Sequence, residues 1–354
     1  MSFPRYPKYK DSGVQWLGEV PEHWGCTALK RCVDPSRPIT YGIVQAGPDV
    51  VGGVPYIRPA DMADEQGVNS SDGLLRTSHA IAADYARSTI QPGDLVCSIG
   101  PSFGKVMVTP SWLAGANLTQ GTARVAVDEG HHGRFVFWAL RSGSSTAQWE
   151  SNVGGATFRA LNLGPLAETI LPALPLDEQT AIAAFLDRET AKIDALIAEQ
   201  QRLIELLQEK RQAVISHAVT KGLNPDVPMK DSGIEWLGEV PEHWEVTRGR
   251  FVYQQLTIAP EEEDGVVTAF RDGQVTLRSN RRSDGFTLAV LEVGYQRVRT
   301  GDLVIHGMDA FAGAIGVSES TGKCTPEYAV LEPINADFNN HYYASVLRLM
   351  ANRN

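Results

Sequence analysis

The stretch KDSGVQWLGEVPEHW, residues Lys10 to Trp24, returns as KDSGIEWLGEVPEHW, residues Lys230 to Trp244, with changes only at its fifth and sixth positions. This period of about 220 residues is far longer than a solenoid repeat, whose units run to roughly 20 to 50 residues, so each copy opens a separate domain. The motif Gly-Asp-Leu-Val also occurs twice, at 93–96 and 301–304. The sequence therefore predicts two domains built on one scaffold.

Length, composition and charge restrict the class of protein. A chain of 354 residues is long enough for two domains and a connector, each with its own core. The sequence contains no run of about 18 apolar residues and begins without an apolar signal core, so we expect a soluble, cytoplasmic protein with no membrane span. The four cysteines lack zinc-like spacing, which favours buried free thiols. The net charge of −10 argues against bulk attraction to nucleic acid, although Arg271 to Arg282 is locally basic.

The residue types change abruptly near the middle of the chain. Glycine, proline and β-branched residues punctuate 25–174, which predicts short strands and turns, with one helix at Arg134 to Arg141. Between Pro175 and Gly222 there is no glycine or proline, and strong helix formers dominate. Pro175 suits the first turn of a helix and Gly222 suits its left-handed end, so we predict one helix of about 45 residues, close to 68 Å long.

Apolar positions along this helix recur in steps of three and four, which predicts a narrow seam that needs a partner helix, as in a coiled coil. The seam consists of Ile182, Leu186, Ile193, Leu196, Leu203, Leu207 and Val214. The predicted fold class is therefore α+β, with two similar β-rich domains joined by one long α-helix that forms half of a coiled coil. The predicted boundaries are 1–174 for the first domain, 175–222 for the helix and 223–354 for the second domain.

A family resemblance follows from these motifs. The run from Leu171 to Leu223 resembles the central conserved helix of the DNA-specificity subunits of type I restriction-modification systems. The segments Trp16 to Trp24 and Trp236 to Trp244 are similar to the openings of that family's two target-recognition domains, and the GDLV motifs and Phe270 to Val317 fit the same domains. The resemblance implies a subunit that recognises a bipartite target in double-stranded DNA and docks methyltransferase (M) and endonuclease (R) subunits.

The second domain departs from the family pattern at its end. When Leu140-Arg141 is aligned with Leu347-Arg348, Asn354 falls opposite Ala147. We therefore expect the second domain to be incomplete, without the counterpart of residues 148–174, and the second helix, which in the family pairs antiparallel with the first, to be missing. Either a shortened natural subunit or a truncated sequence would explain this.

Motifs for catalysis are not found, which predicts a non-catalytic subunit. The loop Gly100 to Lys105 is one residue short of a phosphate loop, and Val106 stands where Ser or Thr would bind magnesium. The sequence has neither an N-P-P-aromatic run for a flipped adenine nor a GxGxxG cofactor loop. We expect no metal or cofactor in this chain. The resemblance implies that S-adenosylmethionine, magnesium and ATP belong to the partner subunits.

Candidate base-reading residues are those with forked or two-headed side chains, since Arg matches guanine and Asn or Gln matches adenine. In the first domain they are Arg58, Gln120 and Arg159, with Lys105 of the glycine loop as a further candidate. In the second they are Arg271, Gln274, Arg278, Asn280, Arg281 and Arg282. The tryptophans of the repeat, including Trp24 and Trp244, are expected to pack the domains against the scaffold and not to contact bases.

Two other functions are open to the same sequence. A coiled-coil adaptor that binds proteins without DNA specificity would carry no base-directed Arg, Asn or Gln in its loops, whereas these loops carry them. A fused nuclease and methyltransferase would require the motifs that are absent.

Overall fold

The computed structural model describes residues 6–63, 67–153, 160–281 and 293–351. The chain divides into two compact units, Met1–Ile197 and Ala198–Asn354, and the division falls inside one long helix. The predicted α+β fold class is confirmed, because each unit combines short antiparallel strands with helices. The three predicted domain boundaries stay predictions. No helix in the described ranges is both long enough and apolar enough to cross a membrane.

The first unit begins with the hairpin of the repeated sequence and is built mainly from two sheets. Its strands are β1 Tyr9–Asp11, β2 Glu19–Pro21, β3 Gly25–Ala28, β4 Thr40–Tyr41, β5 Val54–Ile57, β6 Arg76–Thr77, β7 Leu95–Ser98, β8 Val106–Val108, β9 Asn117–Leu118, β10 Thr122–Val125 and β11 Ile170–Ala173. Its helices are α1 His79–Asp84, α2 Gly133–Leu140, α3 Gly143–Asn152, α4 Leu163–Ala167 and the start of α5 Leu176–Lys221. The larger sheet has the order β4-β10-β7-β8 and the smaller β6-β5-β9.

The second unit repeats the larger sheet. Its strands are β12 Met229–Asp231, β13 Glu239–Pro241, β14 Tyr253–Leu256, β15 Val267–Ala269, β16 Val275–Leu277, β17 Gln296–Val298, β18 Leu303–His306, β19 Ile315–Val317, β20 Gly322–Cys324 and β21 Tyr328–Pro333, and its helix besides the end of α5 is α6 Asn340–Ala351. The order β14-β21-β18-β19 matches β4-β10-β7-β8. The register matches too, since Leu95 pairs with Val108 and Val125 while Leu303 pairs with Val317 and Leu331.

The two GDLV motifs form the same turn in the two sheets. Asp94 and Asp302 are each 5% exposed, and each accepts a hydrogen bond of 2.7 Å from the backbone N–H three residues before it. Arg37 binds Asp94 through two hydrogen bonds, and Arg299 binds Asp302. A buried carboxylate is tolerated only when it is paired in this way. The motif therefore fixes the start of a central strand in both units.

The long helix α5 agrees with its prediction to within one residue at each end. Pro175 precedes its first turn, which carries Asp177 and Glu178, and Gly222 ends it with a φ of 78°. Sequence reasoning did not predict α3 and α4, which cover the core of the first unit together with α2. Cys32, Cys97 and Cys324 are buried as expected, but the prediction was wrong for Cys26, because the edge strand β3 leaves it exposed.

Candidate nucleic-acid interface

Three candidates of the first unit meet around one turn, Pro59–Asp61. The Arg58 side chain binds Asp61 through Nε at 2.9 Å and Nη2 at 2.6 Å, and Lys105 Nζ donates to the carbonyl oxygen of Met62 at 2.7 Å. Gln120 is exposed, and the next residue, Gly121, lies so close to Pro59 that a Cβ atom would stand 2.9 Å from its ring. The fourth candidate, Arg159, lies outside the described residues.

Arg58 and Lys105 would have to break hydrogen bonds within the protein in order to bind a base. The hydrogen bonds that Arg58 donates to Asp61 raise the pKa of Arg58 above its ordinary value, and the Asp61 side chain is only about one-tenth exposed. Lys105 would have to exchange a carbonyl partner. Both side chains lie at the surface of one turn, but each is oriented by a protein contact. Their role in DNA binding stays a prediction.

The candidates of the second unit gather on one hairpin, formed by β15, β16 and the turn that follows. Arg271 Nη2 donates to Asp309 at 3.0 Å, Gln274 Nε2 donates to Glu319 at 2.9 Å, and Arg281 Nη1 donates to Asp272 at 2.8 Å.

Other contacts of this hairpin are to neutral groups. The guanidinium of Arg281 also lies 4.2 Å from the centre of the Phe270 ring, and Asn280 and Arg278 donate to Thr276 at 2.8 Å and to Thr268 at 3.2 Å. Arg282 lies outside the described residues.

The solvent exposure of each ion pair determines how easily a ligand can replace one of its side chains. The Arg271 and Asp309 side chains are 70% and 37% exposed, and such an ion pair contributes only about 0 to 1 kcal/mol. A phosphate or a base edge can replace Asp309 at little cost. Sequence reasoning missed the carboxylates that hold the candidates. Asp61 could have been found from its spacing to Arg58, whereas Asp309 and Glu319 are distant in sequence and only folding brings them to the hairpin.

The predicted helix seam has two parts in the structure. Ile182 packs beside the buried side chains of Phe135, Leu174 and Ala183, and Leu186 is half-buried. The other seam residues, Ile193, Leu196, Leu203, Leu207 and Val214, are exposed. Ile197, Ile204 and Leu206 are exposed beside them and were not included in the predicted seam. An apolar strip of this kind on a helix is suited to contact another protein.

The repeated tryptophans lie where the hairpins meet the long helix. Trp24 Nε1 donates to Glu178 at 2.7 Å, and His23 Nε2 lies 2.9 Å from the other carboxylate oxygen. In the second unit, the Trp244 ring packs edge-on against Tyr342, whose hydroxyl donates to the carbonyl oxygen of Val219 at 3.0 Å. Trp24 thus contacts the long helix directly, whereas Trp244 packs against Tyr342, which is hydrogen-bonded to that helix. In the described ranges, no group of three or more His, Cys, Asp or Glu side chains is arranged to hold a metal ion.

Comparison with known proteins agrees with the resemblance inferred from the sequence. The chain is similar to the specificity subunit of the type I restriction enzyme EcoBI from Escherichia coli, with 24% identity over 273 residues, or 69% of this chain and 56% of that protein. The chain thus spans about half the length of this curated relative. No family model matches the chain.

Two solved structures share the fold. The HsdS subunit from Thermoanaerobacter tengcongensis gives a TM-score of 0.51 at 17% identity. A chain from a structure concerned with complex assembly and conformational transition of the type I restriction-modification system gives 0.58 at 18%. Each match covers 94% of this chain and 81% of the other. The chain is therefore similar in sequence to a type I restriction enzyme specificity subunit, and it shares its fold with the two solved chains.

Proposed function

We propose that this chain is the DNA-sequence-recognition subunit of a type I restriction-modification complex and that each unit reads one half of a bipartite double-stranded DNA target. The observation that carries the proposal is the duplicated sheet, which has the same order and register in both units. The candidate readers on the two copies differ, with the turn 58–62 in the first unit and the hairpin 267–281 in the second. One scaffold with two different readers suits a target with two different halves.

The proposal assigns the chemistry to partner proteins. Methyltransferase subunits would bring S-adenosylmethionine, and endonuclease subunits would bring magnesium and ATP, while this chain supplies the DNA address and no catalytic group. The exposed strip of α5 would contact these partners. Because the net charge of this chain is −10, most of the phosphate neutralisation would also come from them. Such a complex would act in the cytoplasm, beside the DNA.

Because each unit is proposed to read a different half-site, substitutions in the two units should affect different half-sites. The chain is assembled with a methyltransferase partner, and methylated sites are mapped across a genome by sequencing. We expect Arg271→Ala or Gln274→Ala to relax the second half-site only, and Arg58→Ala to relax the first half-site only. Loss of one base contact should cost about 1 to 3 kcal/mol of binding free energy.

Arg188→Ala is the matched control, because this arginine lies on α5 and pairs with its neighbour Glu189. It should leave both half-sites unchanged. A methylation pattern in which the reader variants alter both half-sites together, or neither, would contradict the assignment of one reader to each half.

The exposed strip of α5 favours one alternative, a coiled-coil adaptor that binds proteins without DNA specificity. Leu196→Lys combined with Leu203→Lys should then abolish partner binding, and the assembled wild-type complex should bind all DNA sequences equally. Under the recognition proposal, the same variant loses the partner, but the wild-type complex discriminates between sequences.

A further inference from the structure

Several connections of the first unit meet at one edge of its two sheets. The parallel strands β5 and β9 both end there, β7 ends there opposite the start of β10, and β4 ends beside the same start. The segments that join these strand ends are therefore neighbours in space, although they are far apart in sequence. They are 42–45, 58–62, 99–105 and 119–121, and they include Arg58 and Lys105.

Backbone hydrogen bonds hold the segments 42–45 and 119–121 side by side. Ile43 pairs in parallel with Thr119, since the Ile43 N–H donates to the Leu118 carbonyl oxygen at 2.7 Å and the Gln120 N–H donates to the Ile43 carbonyl oxygen at 2.9 Å. The two segments are so close that a Cβ atom on Gly42 would stand 1.9 Å from the Leu118 carbonyl oxygen. The path of both segments is therefore fixed.

The turn 58–62 is attached to the same two segments. The hydroxyl groups of Thr119 and Thr122 donate to the Ile57 carbonyl oxygen at 3.2 Å and 3.0 Å. A Cβ atom on Gly121 would stand 2.9 Å from the Pro59 ring, so the two chains lie in contact there. Segments 42–45, 58–62 and 119–121 thus form one continuous surface, which we call the three-segment surface.

Val44 and Gln120 lie next to each other on the three-segment surface. Successive residues of an extended segment face opposite ways, so Val44 and Gln120 point away from the side on which Ile43 is buried. Val44 is 48% exposed, and Gln120 is exposed as well. Paired residues on neighbouring strands are about 4.8 Å apart. The surface therefore presents valine methyl groups and a carboxamide together.

The Gln120 carboxamide differs from Arg58 and Lys105 in its freedom to bind a ligand. Arg58 donates to Asp61 through two hydrogen bonds, and Lys105 Nζ donates to the Met62 carbonyl oxygen. In the ranges that the structure describes, the Gln120 side chain has no hydrogen-bond partner in the protein. Contact with a base would therefore cost Gln120 no existing hydrogen bond, whereas Arg58 would first have to lose two.

We propose that Gln120 and Val44 together read an adenine·thymine pair in the half-site that the first unit recognises. A carboxamide both donates and accepts, which matches the N7 acceptor and the N6 amino donor of adenine in the major groove. The thymine of that pair carries a C5-methyl group, which the methyl groups of Val44 can contact. This inference rests on the proposed function. It adds Val44 to the first reader and one base pair to the target.

The test uses the full chain, assembled with its methyltransferase partner, and DNA duplexes that carry its mapped target. Each thymine of the target is replaced in turn by uracil, which lacks only the C5-methyl group. Each adenine is replaced in turn by 7-deazaadenine, which lacks the N7 acceptor. We expect one base pair at which uracil weakens binding about fourfold and 7-deazaadenine weakens it about fivefold.

Substitutions in the protein should remove these two sensitivities separately. In Val44→Ala, thymine and uracil at this pair should bind within about twofold of each other, while the effect of 7-deazaadenine persists. In Gln120→Ala, the effect of 7-deazaadenine should disappear, while the effect of uracil persists. A general loss of structure would weaken the binding of all duplexes alike, so it could not produce this pattern.

Val51→Ala and Gln91→Ala are the matched controls. Both residues are exposed, but they precede β5 and β7, at the opposite ends of these strands from the three-segment surface. Each control should bind every duplex as the wild type does, and an equal loss in a control and in its matched variant would overturn the assignment.

Other outcomes separate this inference from the proposed function. A target without an adenine·thymine pair that shows both sensitivities would overturn the role of Val44 and Gln120. So would sensitivities that persist unchanged in Val44→Ala and Gln120→Ala. In both cases a complex that still discriminates between sequences leaves the proposed function standing. A wild-type complex that binds all sequences equally would overturn both.

Discussion

Trp24 and Trp244 end two hairpins with nearly the same sequence and the same strand register, and they meet different neighbours. Trp24 donates to Glu178 in the first turn of α5 and packs against the buried side chains of Phe135 and Leu174. Trp244 packs against Tyr342, close to the last turn of α5, and faces an open cavity. The same local sequence thus lies beside the beginning of α5 in the first unit and beside the end of α5 in the second.

The repeated motif determines the local shape of each hairpin, whereas distant segments determine how the hairpin packs in its unit. Each hairpin forms from its own turn residues, including Gly13 and Gly233, which both have a φ of 71°. The hydrogen bonds and buried area that stabilise each hairpin against the rest of the unit come from distant segments. Differences between matched variants of the two units should therefore measure the contribution of those segments.

The largest expected difference is between Leu140→Ala and Leu347→Ala. Leu140 is fully buried in a core that includes Trp149 and Leu166, so its truncation should cost about 2 to 5 kcal/mol of unfolding free energy in the first unit. Leu347 is half-buried beside the cavity, so its truncation should cost about 1 kcal/mol. Amide hydrogen exchange resolved by unit measures both values. Equal costs would mean that the cavity is filled in solution.

A smaller difference is expected between Trp24→Phe and Trp244→Phe. Removing the indole N–H of Trp24 takes one side-chain partner from Glu178 and leaves His23, which should cost about 1.5 kcal/mol of unfolding free energy in the first unit. Trp244→Phe keeps the ring contact with Tyr342 and should change the second unit by less than about 0.5 kcal/mol. Chemical unfolding followed by amide hydrogen exchange in each unit measures both changes in unfolding free energy. A larger loss for Trp244→Phe than for Trp24→Phe would contradict the prediction.

The smallest expected effect depends on pH and concerns Asp187, which joins α5 to α2 in the first unit. The hydrogen bond from Arg134, with a second from Trp138, lowers the pKa of Asp187. A carboxyl whose pKa is lower in the folded state stabilises the fold above its unfolded pKa of about 3.9, and this stabilisation is lost as the pH falls through the folded pKa.

Because Asp187 is partly exposed, Asp187→Asn should cost only about 0.5 to 1 kcal/mol of unfolding free energy at pH 7. The difference between wild type and variant should shrink below about pH 4. Unfolding curves for both proteins from pH 7 to pH 3 provide the measurement. A difference that stays constant over this range would exclude the ion pair as its cause.

Much of the architecture could be predicted because its signals are local. The helix α5 was predicted at 175–222 and lies at Leu176–Lys221, since continuous helix formers, a starting proline and an ending glycine act within a few residues. The duplicated hairpins and GDLV turns were visible as repeated motifs in the sequence. By contrast, α3 and α4 are short and mixed in composition, and they carry no periodic signal strong enough to predict them.

The candidate site was predicted only in part. The sequence showed Arg271, Gln274 and Arg281 within one locally basic stretch, and the structure shows that this stretch belongs to one hairpin and the turn after it. The sequence could not show that Asp309 and Glu319 would hold Arg271 and Gln274, because residues far apart in sequence become neighbours only through folding. Nor could it show that Cys26 would be exposed, which depends on the edge position of its strand.

The sequence by itself determined the duplication, the long helix and the family resemblance, because repeats, helix propensity and capping residues act over short distances. Only the tertiary structure decided that nearly identical hairpins would have different partners, that Glu178 would hold Trp24, and that the counterparts of buried Cys97, Val125 and Leu140 would line a cavity. The physical reason is that burial depends on which distant segment covers a surface. The neighbours of a residue in sequence do not identify that distant segment.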